Sequence, residues 1–260
     1  MSLNITDLKV ADYLSPHPIT ISKKASFADA VSLMTDKGIG NLIIKDGHSV
    51  EGILTERELL RYLAKEKKIP DEPIQNITAS NFTKIPLETT LLIAAKTMLS
   101  TKSRILVFDN EKLIGIITAS DMLRGFRKTN QNPTLEEVMS KKIYQCSYND
   151  TILKAVKLMH LKRIGSVIIT KDKKPYGIFT ERDLLVNVLA NEVELDGKVG
   201  GYCSSPLITA RVGIGCKDVS DVMSENKIKR LVLIDDKGMQ SIVTARDIVD
   251  AFSSYFTPYL

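Results

Sequence analysis

At the ends of four apolar, β-rich runs of this 260-residue chain, a threonine stands three residues before an acidic residue. In chain order these segments are Thr55–Glu58, Thr118–Asp121, Thr180–Asp183 and Thr244–Asp247. An apolar, β-rich run precedes each segment and a helical pattern follows it, so each threonine is predicted to cap a helix while the acid reaches back to the backbone N–H. The same helix start exposes N–H groups at the positive end of the helix dipole, which suits a phosphate, and the acid suits ribose hydroxyls.

An arginine precedes the acid in three of these motifs, as Arg57, Arg182 and Arg246, and Ser120 takes this position in the second motif. A guanidinium group can hold phosphate oxygens with a planar fork of donors. For Arg57, and likewise for Arg104, Lys229 and Arg230 near other strand ends, the alternative is that the side chain snorkels or pairs with surface acids. Capping and anion binding are compatible, because a threonine can cap a helix and still face a ligand.

The four threonines recur about every 63 residues, and a fixed period of this size indicates a repeat architecture. Each period predicts a strand, a helix, two strands and a second helix. One methionine stands at the same place in the first helix of each copy, and we assign these four to the core: Met34, Met98, Met159 and Met223. A unit of about 60 residues has a thin core. We therefore expect the copies to pair, one with two and three with four.

The composition is that of an ordinary globular protein, with 43% hydrophobic residues, 26% charged residues and a net charge of +5. Lysine-rich stretches alternate with acids, which favours solvated surface over a nucleic-acid patch. Three cysteines without paired spacing favour a reducing, intracellular setting. The polar start, Met1 to Asp7, is unlike a signal peptide, and no apolar run approaches the roughly 20 residues needed to cross a bilayer. We expect a cytoplasmic protein without a membrane segment.

The fourfold pattern resembles the CBS domain, named for cystathionine β-synthase, whose tandem pairs form Bateman modules. The resemblance implies an α+β fold of four CBS repeats (β-α-β-β-α) packed as two pseudo-twofold pairs. The implied repeats span residues 8–67, 74–128, 135–192 and 197–256. It also implies that adenine nucleotides bind in clefts between paired repeats, with the motif acid on the ribose and the threonine or its neighbours near the phosphate.

The resemblance implies four sites, each joining the motif of one repeat to a first-strand residue and two residues entering the second strand of its paired repeat. Site one joins Thr55, Arg57 and Glu58 to Lys84, Ser103 and Arg104. Site two joins Thr118, Ser120 and Asp121 to Thr20, Gly40 and Asn41. Site three joins Thr180, Arg182 and Asp183 to Thr209, Lys229 and Arg230. Site four joins Thr244, Arg246 and Asp247 to Gln145, Gly165 and Ser166.

Departures from the family pattern rank these sites. Glu58 replaces the usual aspartate, and its extra methylene moves the carboxylate by about an ångström or more, enough to spoil bidentate binding of ribose. Ser241 replaces a strand glycine in copy four and is expected to crowd the base beside it. Site two has no arginine in its motif. Site three keeps the usual acid and three cations, so it ranks first, and site four ranks second.

Three histidines, His17, His48 and His160, occupy unlike repeat positions, and the sequence contains no nucleophile elbow, Walker loop or dinucleotide fingerprint. We therefore expect a binding module and not an enzyme, with no required cofactor. The favoured hypothesis is a sensor that binds AMP, ADP or ATP, with S-adenosylmethionine and NAD as alternative ligands, and signals to an unidentified regulated protein. A ligand-free scaffold and a nucleic-acid-binding protein are the competing hypotheses, and a homodimer is a candidate assembly.

Overall fold

The computed structural model describes residues 5–47, 49–70, 72–77 and 82–256. His48 and the polar start of the chain, Met1 to Asn4, lie outside the described residues. The chain forms four α+β repeats, and each contains a strand, a helix, two strands and a second helix in that order. The predicted fold class and element order are therefore confirmed.

A two-residue strand, β1 (Ser15–Pro16), precedes the first repeat. Repeat one contains β2 (Thr20–Ser22), α1 (Phe27–Asp36), β3 (Asn41–Asp46), β4 (Ser49–Thr55) and α2 (Glu56–Glu66). Repeat two contains β5 (Phe82–Pro86), α3 (Leu91–Thr101), β6 (Arg104–Asp109), β7 (Lys112–Ile117) and α4 (Ala119–Phe126). Repeat three contains β8 (Gln145–Ser147), α5 (Ile152–Lys162), β9 (Ser166–Lys171), β10 (Lys174–Thr180) and α6 (Glu181–Asp183). Repeat four contains β11 (Thr209–Arg211), α7 (Cys216–Glu225), β12 (Arg230–Asp235), β13 (Gly238–Thr244) and α8 (Ala245–Phe256).

Local sequence sets where the first helix of a repeat begins and ends. Ser26 and Asp29 form a capping box at the start of α1, and the hydroxyls of Thr90 and Thr151 cap α3 and α5. Gly38 follows the end of α1 with a φ of +65°, a conformation that glycine adopts without steric cost. The glycine therefore ends this helix, as the sequence predicts.

In every repeat the first strand pairs in parallel with the second, and the second strand pairs antiparallel with the third. The parallel connection runs through the first helix, as a crossover requires. In three repeats the register sets the motif threonine opposite the residue that opens the second strand; the pairs are Asn41–Thr55, Ser166–Thr180 and Arg230–Thr244. Each motif helix therefore starts at a defined point at the end of a strand.

The residues ahead of a first strand pack on a different repeat. We call residues 8–18, 134–143 and 199–208 the leading segments of repeats one, three and four. β1 pairs with β7 of repeat two, Ser140 pairs with Ile242 of repeat four, and Ser204 pairs with Ile178 of repeat three. The residues ahead of β5 include 78–81, which fall outside the described ranges. Repeats three and four thus exchange their leading segments, and the leading segment of repeat one pairs with repeat two.

The chain divides into two compact units. The odd unit, Ile19–Asn81 and Tyr144–Ile208, contains repeats one and three, and the even unit, Met1–Pro18, Phe82–Ile143 and Thr209–Leu260, contains repeats two and four. The pairing expected from sequence was of consecutive repeats, so the grouping within the units differs from it. The cause is helix packing: α2 lies against α5 in the odd unit, and α3 and α4 lie against α8 in the even unit, because apolar helix faces bury surface against each other wherever they stand in the chain.

One apolar core runs through the odd unit. It takes residues from both repeats, among them Leu59 and Leu63 of repeat one and Ala155 and Val156 of repeat three. All four methionines that the sequence assigns to the core are buried, which confirms that assignment. The shared core explains why repeats distant in sequence form one compact unit.

Two observations bear on the expected setting of the protein. Among the described residues, no helix has the length and apolar character to cross a membrane. The three cysteines are free, and burial raises the pKa of the Cys146 and Cys203 thiols to about 11 and that of Cys216 to about 12. The thiols are therefore protonated, and unreactive, at neutral pH.

We expect Phe126→Ala to lower the free energy of unfolding by about 3–5 kcal/mol, because it removes a fully buried ring and leaves a cavity beside Phe252, whose ring centroid is 5.1 Å away. Ile93→Ala, in the same unit, is the control: Ile93 is 50% exposed, so its truncation should cost less than about 1 kcal/mol. Urea unfolding followed by circular dichroism measures both. Equal costs for the two variants would contradict this account of the core.

Candidate functional site

Three of the four motifs use their acid to close the helix start. The backbone N–H of the motif threonine donates to Oδ2 of Asp121, Asp183 or Asp247 at 2.8 Å in each case. The threonine hydroxyl donates to the same oxygen at 2.6, 2.6 and 2.9 Å, respectively. The predicted capping role of these three motifs is therefore confirmed, and it uses only one of the two carboxylate oxygens.

The first motif is built differently, because its acid is Glu58. The hydroxyl of Thr55 donates to Glu58 Oε2, but no side chain in the described ranges caps the backbone at the start of α2. The extra methylene thus changes the geometry of the motif. Its effect on ligand binding at site one stays a prediction.

The second oxygen of Asp183 is already occupied by protein groups. Oδ1 accepts hydrogen bonds from Ser204 Oγ at 2.6 Å and from Asn187 Nδ2 at 3.2 Å. Asn187 lies on a π-helical turn, Leu184–Val188, that interrupts the helix after α6, and it also donates to the Tyr202 carbonyl oxygen at 2.9 Å. Asp183 is 5% exposed, so its carboxylate is enclosed by its own chain.

Asp121 is enclosed in a similar way. Its Oδ1 accepts a hydrogen bond from Ser15 Oγ at 3.2 Å and lies 3.0 Å from Arg124 Nη2. The same Arg124 nitrogen donates to the Tyr13 carbonyl oxygen at 2.6 Å. Ser15 and Tyr13 belong to the leading segment of repeat one, so this segment covers the second motif.

Asp247 differs from the other two aspartates. Its Oδ2 closes the start of α8, but its Oδ1 accepts no hydrogen bond from any residue that the structure describes. Burial raises the pKa of the Asp247 carboxyl group, and the hydrogen bonds from Thr244 offset part of that rise. The side chain is only partly buried, so the fourth motif keeps an oxygen that can accept a hydrogen bond from a ligand.

The serines of the leading segments were not identified from the sequence alone. Each stands five residues before the first-strand residue assigned to a site; the pairs are Ser15 and Thr20, Ser140 and Gln145, and Ser204 and Thr209. This recurrence is a signal in the sequence. Its meaning depends on the exchange of leading segments between repeats, which periodicity does not predict.

The glycine of the motif strand makes room for the leading segment. A Cβ at Gly177 would overlap the carbonyl oxygen of Ser204, and a Cβ at Gly115 would lie 2.7 Å from the carbonyl oxygen of Ser15. Glycine is therefore required here for the close approach of two backbones. Repeat four has Ser241 in this place, fully buried; its expected crowding of a base stays a prediction.

The motif arginines of the odd unit connect its two repeats. Arg57 Nε lies 3.0 Å from Glu181 Oε1, and Arg182 Nη1 lies 3.3 Å from Glu56 Oε1, so the first and third motifs exchange two ion pairs. Arg182 Nη1 also donates to the Ile39 carbonyl oxygen at 2.9 Å. The Arg57 contact agrees with the alternative of pairing with an acid, and the phosphate role of both arginines stays a prediction.

Arg246 takes the corresponding place in the even unit. Its Nη2 donates to the carbonyl oxygens of Met98 at 2.8 Å and Leu99 at 3.3 Å. These carbonyls belong to the last turn of α3, where a cation is favoured by the helix dipole. Ser120 stands at this position in the second motif and is partly buried.

The residues that enter a second strand lie beside the motif of their own repeat. In three repeats the first of them accepts a hydrogen bond from the N–H that follows the motif threonine: Gly40 from Glu56, Gly165 from Glu181, and Lys229 from Ala245. The residue that follows it in the chain lies opposite the motif threonine on the neighbouring antiparallel strand; these residues are Asn41, Ser166 and Arg230. The sequence assigned these residues to the motif of the paired repeat, and that assignment stays a prediction.

Every predicted site combines residues of both units. In site three, Asp183 belongs to the odd unit, whereas Thr209 and Lys229 belong to the even unit. Thr20 and Gln145, assigned to sites two and four, also open the first strands of their repeats. The cross-repeat composition of the sites therefore stays a prediction.

The residues of repeat two that were assigned to site one have local contacts. Lys84 Nζ lies 4.9 Å from the centroid of the Phe108 ring. Ser103 Oγ lies 2.8 Å from Thr101 Oγ1, and Arg104 opens β6. Their predicted contact with a nucleotide stays a prediction.

The repeated fold and its capped motifs define a protein built from tandem copies of one small α+β module. The family model of the CBS domain matches residues 10–65, 74–128, 135–190 and 199–254. The chain therefore belongs to the CBS domain family, which confirms the resemblance drawn from the motifs.

Proteins of archaea share this fold. A crystal structure from Methanocaldococcus jannaschii, described as a candidate archaeal homolog of g-AMPK, matches with a TM-score of 0.80 at 17% identity and covers 94% of this chain and 100% of that one. A crystal structure of a conserved protein from Pyrococcus horikoshii gives a TM-score of 0.65 at 18% identity, covering 94% and 99%. An uncharacterized protein of M. jannaschii is 26% identical over 92% of this chain. The chain spans 61% to 66% of the length of four curated relatives.

We expect Gly177→Ala to destabilise the protein by about 1–3 kcal/mol, because the added Cβ would push the leading segment of repeat four away from β10. Gly201→Ala is the matched control, since Gly201 lies on the same leading segment and a Cβ there meets no atom within 4 Å. Thermal unfolding followed by circular dichroism measures both. If Gly177→Ala proved as stable as Gly201→Ala, the close packing of this segment would be refuted.

Asp247 gives a pH-dependent prediction. The pKa of Asp247 is raised above 3.8 in the folded protein, so protonation of this carboxyl group stabilises the folded state. The stabilisation is complete at a pH below the pKa of Asp247 in the unfolded chain, and it is lost as the pH rises through the pKa in the folded protein. Asp247→Asn keeps an oxygen for the Thr244 N–H and carries no charge, so its stability relative to the native chain should increase from about pH 4 to about pH 7. Urea unfolding of both proteins across this range measures the difference, and a constant difference would contradict the raised pKa.

Proposed function

We propose that this chain is a regulatory protein that binds an adenine nucleotide at the fourth motif and passes the effect of binding to a partner protein. The proposal rests on the hydrogen bonding of the Asp247 carboxylate. Its Oδ2 closes the helix start, but its Oδ1 accepts no hydrogen bond within the described part of the chain. That oxygen is an acceptor for the ribose hydroxyls of a nucleotide.

The start of α8 suits the phosphate of the same ligand. The helix has 12 residues, so its dipole presents partial positive charge to an anion. The N–H groups of Ala245 and Asp247 already donate to the Lys229 carbonyl oxygen and to Thr244 Oγ1, so the attraction rests on the dipole. A nucleotide would meet two complementary features at this helix start, namely the positive end of the dipole for the phosphate and a carboxylate acceptor for the ribose. Thr244 holds the acid in position through two hydrogen bonds.

The CBS family supports an adenine nucleotide as the ligand. The proposed ligands are AMP, ADP and ATP, with S-adenosylmethionine and NAD as alternatives. The M. jannaschii protein of the same fold is described as a candidate homolog of g-AMPK; that description concerns the other protein, and at 17% identity the likeness supports the fold alone. Regulation requires two states of the protein with different affinity for the ligand, and the proposed output is a cytoplasmic partner protein bound in trans.

The fourth motif now ranks ahead of the third, which ranks first from sequence. Asp183 is the usual acid, but both of its oxygens accept hydrogen bonds from protein groups. A ribose at the third motif would have to displace the hydroxyl of Ser204. At the fourth motif no such displacement is required of a ligand.

We propose a binding protein and not an enzyme, because CBS repeats occupy nearly all of this sequence. In the described ranges, no group of three or more His, Cys, Asp or Glu residues could hold a metal ion. The scaffold and nucleic-acid hypotheses are kept as outcomes of the binding experiment, since no contact in the structure favours either of them.

Isothermal titration with AMP, ADP, ATP, S-adenosylmethionine and NAD tests the proposal. We expect saturable binding to the native chain, accompanied by a rise in melting temperature. Asp247→Asn should weaken binding by about tenfold or more, because a hydrogen bond to a charged acceptor is lost. Asp250→Asn is the control: it removes a carboxylate one turn further along α8 whose charge adds to the rise in the Asp247 pKa, so this variant should not weaken binding.

Three outcomes would reject parts of the proposal. Unchanged affinity in Asp247→Asn would exclude the fourth motif as the site. A failure of all five adenine compounds to bind the native chain would favour the scaffold. Steeply salt-dependent binding to DNA or RNA would favour the nucleic-acid hypothesis.

A further inference from the structure

On the basis of the proposed function, we propose that the leading-segment serine decides which aspartate motifs accept a ligand, and that Ser241 keeps the fourth motif open. We call a motif closed when a leading-segment serine donates to Oδ1 of its aspartate, and open when this oxygen accepts no such bond. Motifs two and three are closed, and motif four is open.

In the closed motifs, a serine hydroxyl takes the acceptor that a ribose hydroxyl would use. Ser15 Oγ donates to Asp121 Oδ1 at 3.2 Å, and Ser204 Oγ donates to Asp183 Oδ1 at 2.6 Å. Both carboxylates are almost fully buried, at 3% and 5% exposure. A ligand must break this bond before it can bind, which weakens its affinity by roughly tenfold or more.

The fourth motif has the same backbone arrangement but a different hydrogen bond. Ser140 N donates to the Ile242 carbonyl oxygen at 3.0 Å, and Ile242 N donates to the Ser140 carbonyl oxygen at 2.9 Å, the same exchange that joins Ser204 to Ile178. Ser140 is therefore the counterpart of Ser204. Its hydroxyl, however, donates to the Lys142 carbonyl oxygen at 3.4 Å and not to the motif acid.

The residue at position 241 explains this difference. At the equivalent Gly177, a Cβ would overlap the carbonyl oxygen of Ser204. Ser241 has a Cβ in this place while the backbone bridge keeps its length, so the Ser140 carbonyl oxygen must be turned aside from the position that the Ser204 carbonyl oxygen takes. Ser241 is fully buried, and its Oγ lies 3.2 Å from Met139 Sδ, so the side chain is fixed against this segment. Ser241 is thus a positioning residue that holds Ser140 away from Asp247.

Variants at position 241 separate the effect of the Cβ from that of the hydroxyl. Ser241→Gly removes the Cβ, so Ser140 should reach Asp247 and the affinity for AMP should fall by about tenfold or more. Ser241→Ala keeps the Cβ and should bind AMP like the native chain. In Ser140→Ala/Ser241→Gly the closing hydroxyl is gone, so native affinity should return although the strand still carries the glycine. Isothermal titration measures affinity, and the melting temperature confirms that each variant is folded.

A second measurement does not require the ligand. When a hydroxyl donates to a carboxylate, it favours the charged form and lowers the pKa. Carboxyl-carbon NMR titration of the unliganded protein, with the Asp247 signal assigned by comparison with Asp247→Asn, follows this pKa. We expect it to be lower in Ser241→Gly than in the native chain and to return in the double variant.

The two measurements distinguish failure of this inference from failure of the proposed function. If Ser241→Gly binds AMP with the affinity of the native chain, the leading-segment serine does not decide which motifs accept a ligand, and this inference is overturned. The proposed function would remain supported in that case, because the native chain binds AMP. If the native chain binds no adenine nucleotide, the proposed function fails. In that case the NMR titration alone tests whether Ser241 holds Ser140 away from Asp247. An unchanged Asp247 pKa in Ser241→Gly would overturn this positioning role.

Discussion

The bond from the motif threonine to its own aspartate is the interaction on which the candidate site depends. It fixes the helix start at the end of a strand and commits Oδ2 of Asp121, Asp183 and Asp247 to the protein. Only Oδ1 is left to meet another group. In the proposed function, ligand binding at such a motif depends on the surroundings of this single oxygen, and Ser15 and Ser204 occupy it in two of the three motifs.

Residue type alone does not reveal the function of the motif arginines. A guanidinium group suits a phosphate, but it also suits a carboxylate or the carbonyls at a helix end. Arg57 and Arg182 contact acids of the other repeat in the odd unit, and Arg246 contacts the end of α3. Because Arg57 and Arg182 are 48% and 40% exposed, their ion pairs contribute little to stability. The shared apolar core, and not these ion pairs, holds the repeats of the odd unit together.

Much of the fold could be predicted because its signals are local. Met34 and its equivalents located the buried face of the first helix, Gly38 marked the end of that helix, and the spacing from Thr180 to Asp183 marked a helix start. The site was less predictable. The contact between Ser15 and Asp121 joins residues 106 positions apart, and no short pattern contains both. The grouping of alternating repeats was also missed, since apolar faces of similar character do not specify which copy they will pack against.

The sequence by itself determined the repeat, the order of its elements and the capping role of three aspartates, because each of these depends on residues within one or two helical turns of each other. Only the tertiary structure decided which aspartate keeps an available oxygen. The leading segments reach the motifs from distant parts of the chain, and the Ser204 hydroxyl reaches Asp183 whereas the Ser140 hydroxyl bonds to Lys142 instead of Asp247. We propose that the residue facing the segment, Gly177 in one repeat and Ser241 in the other, makes this difference.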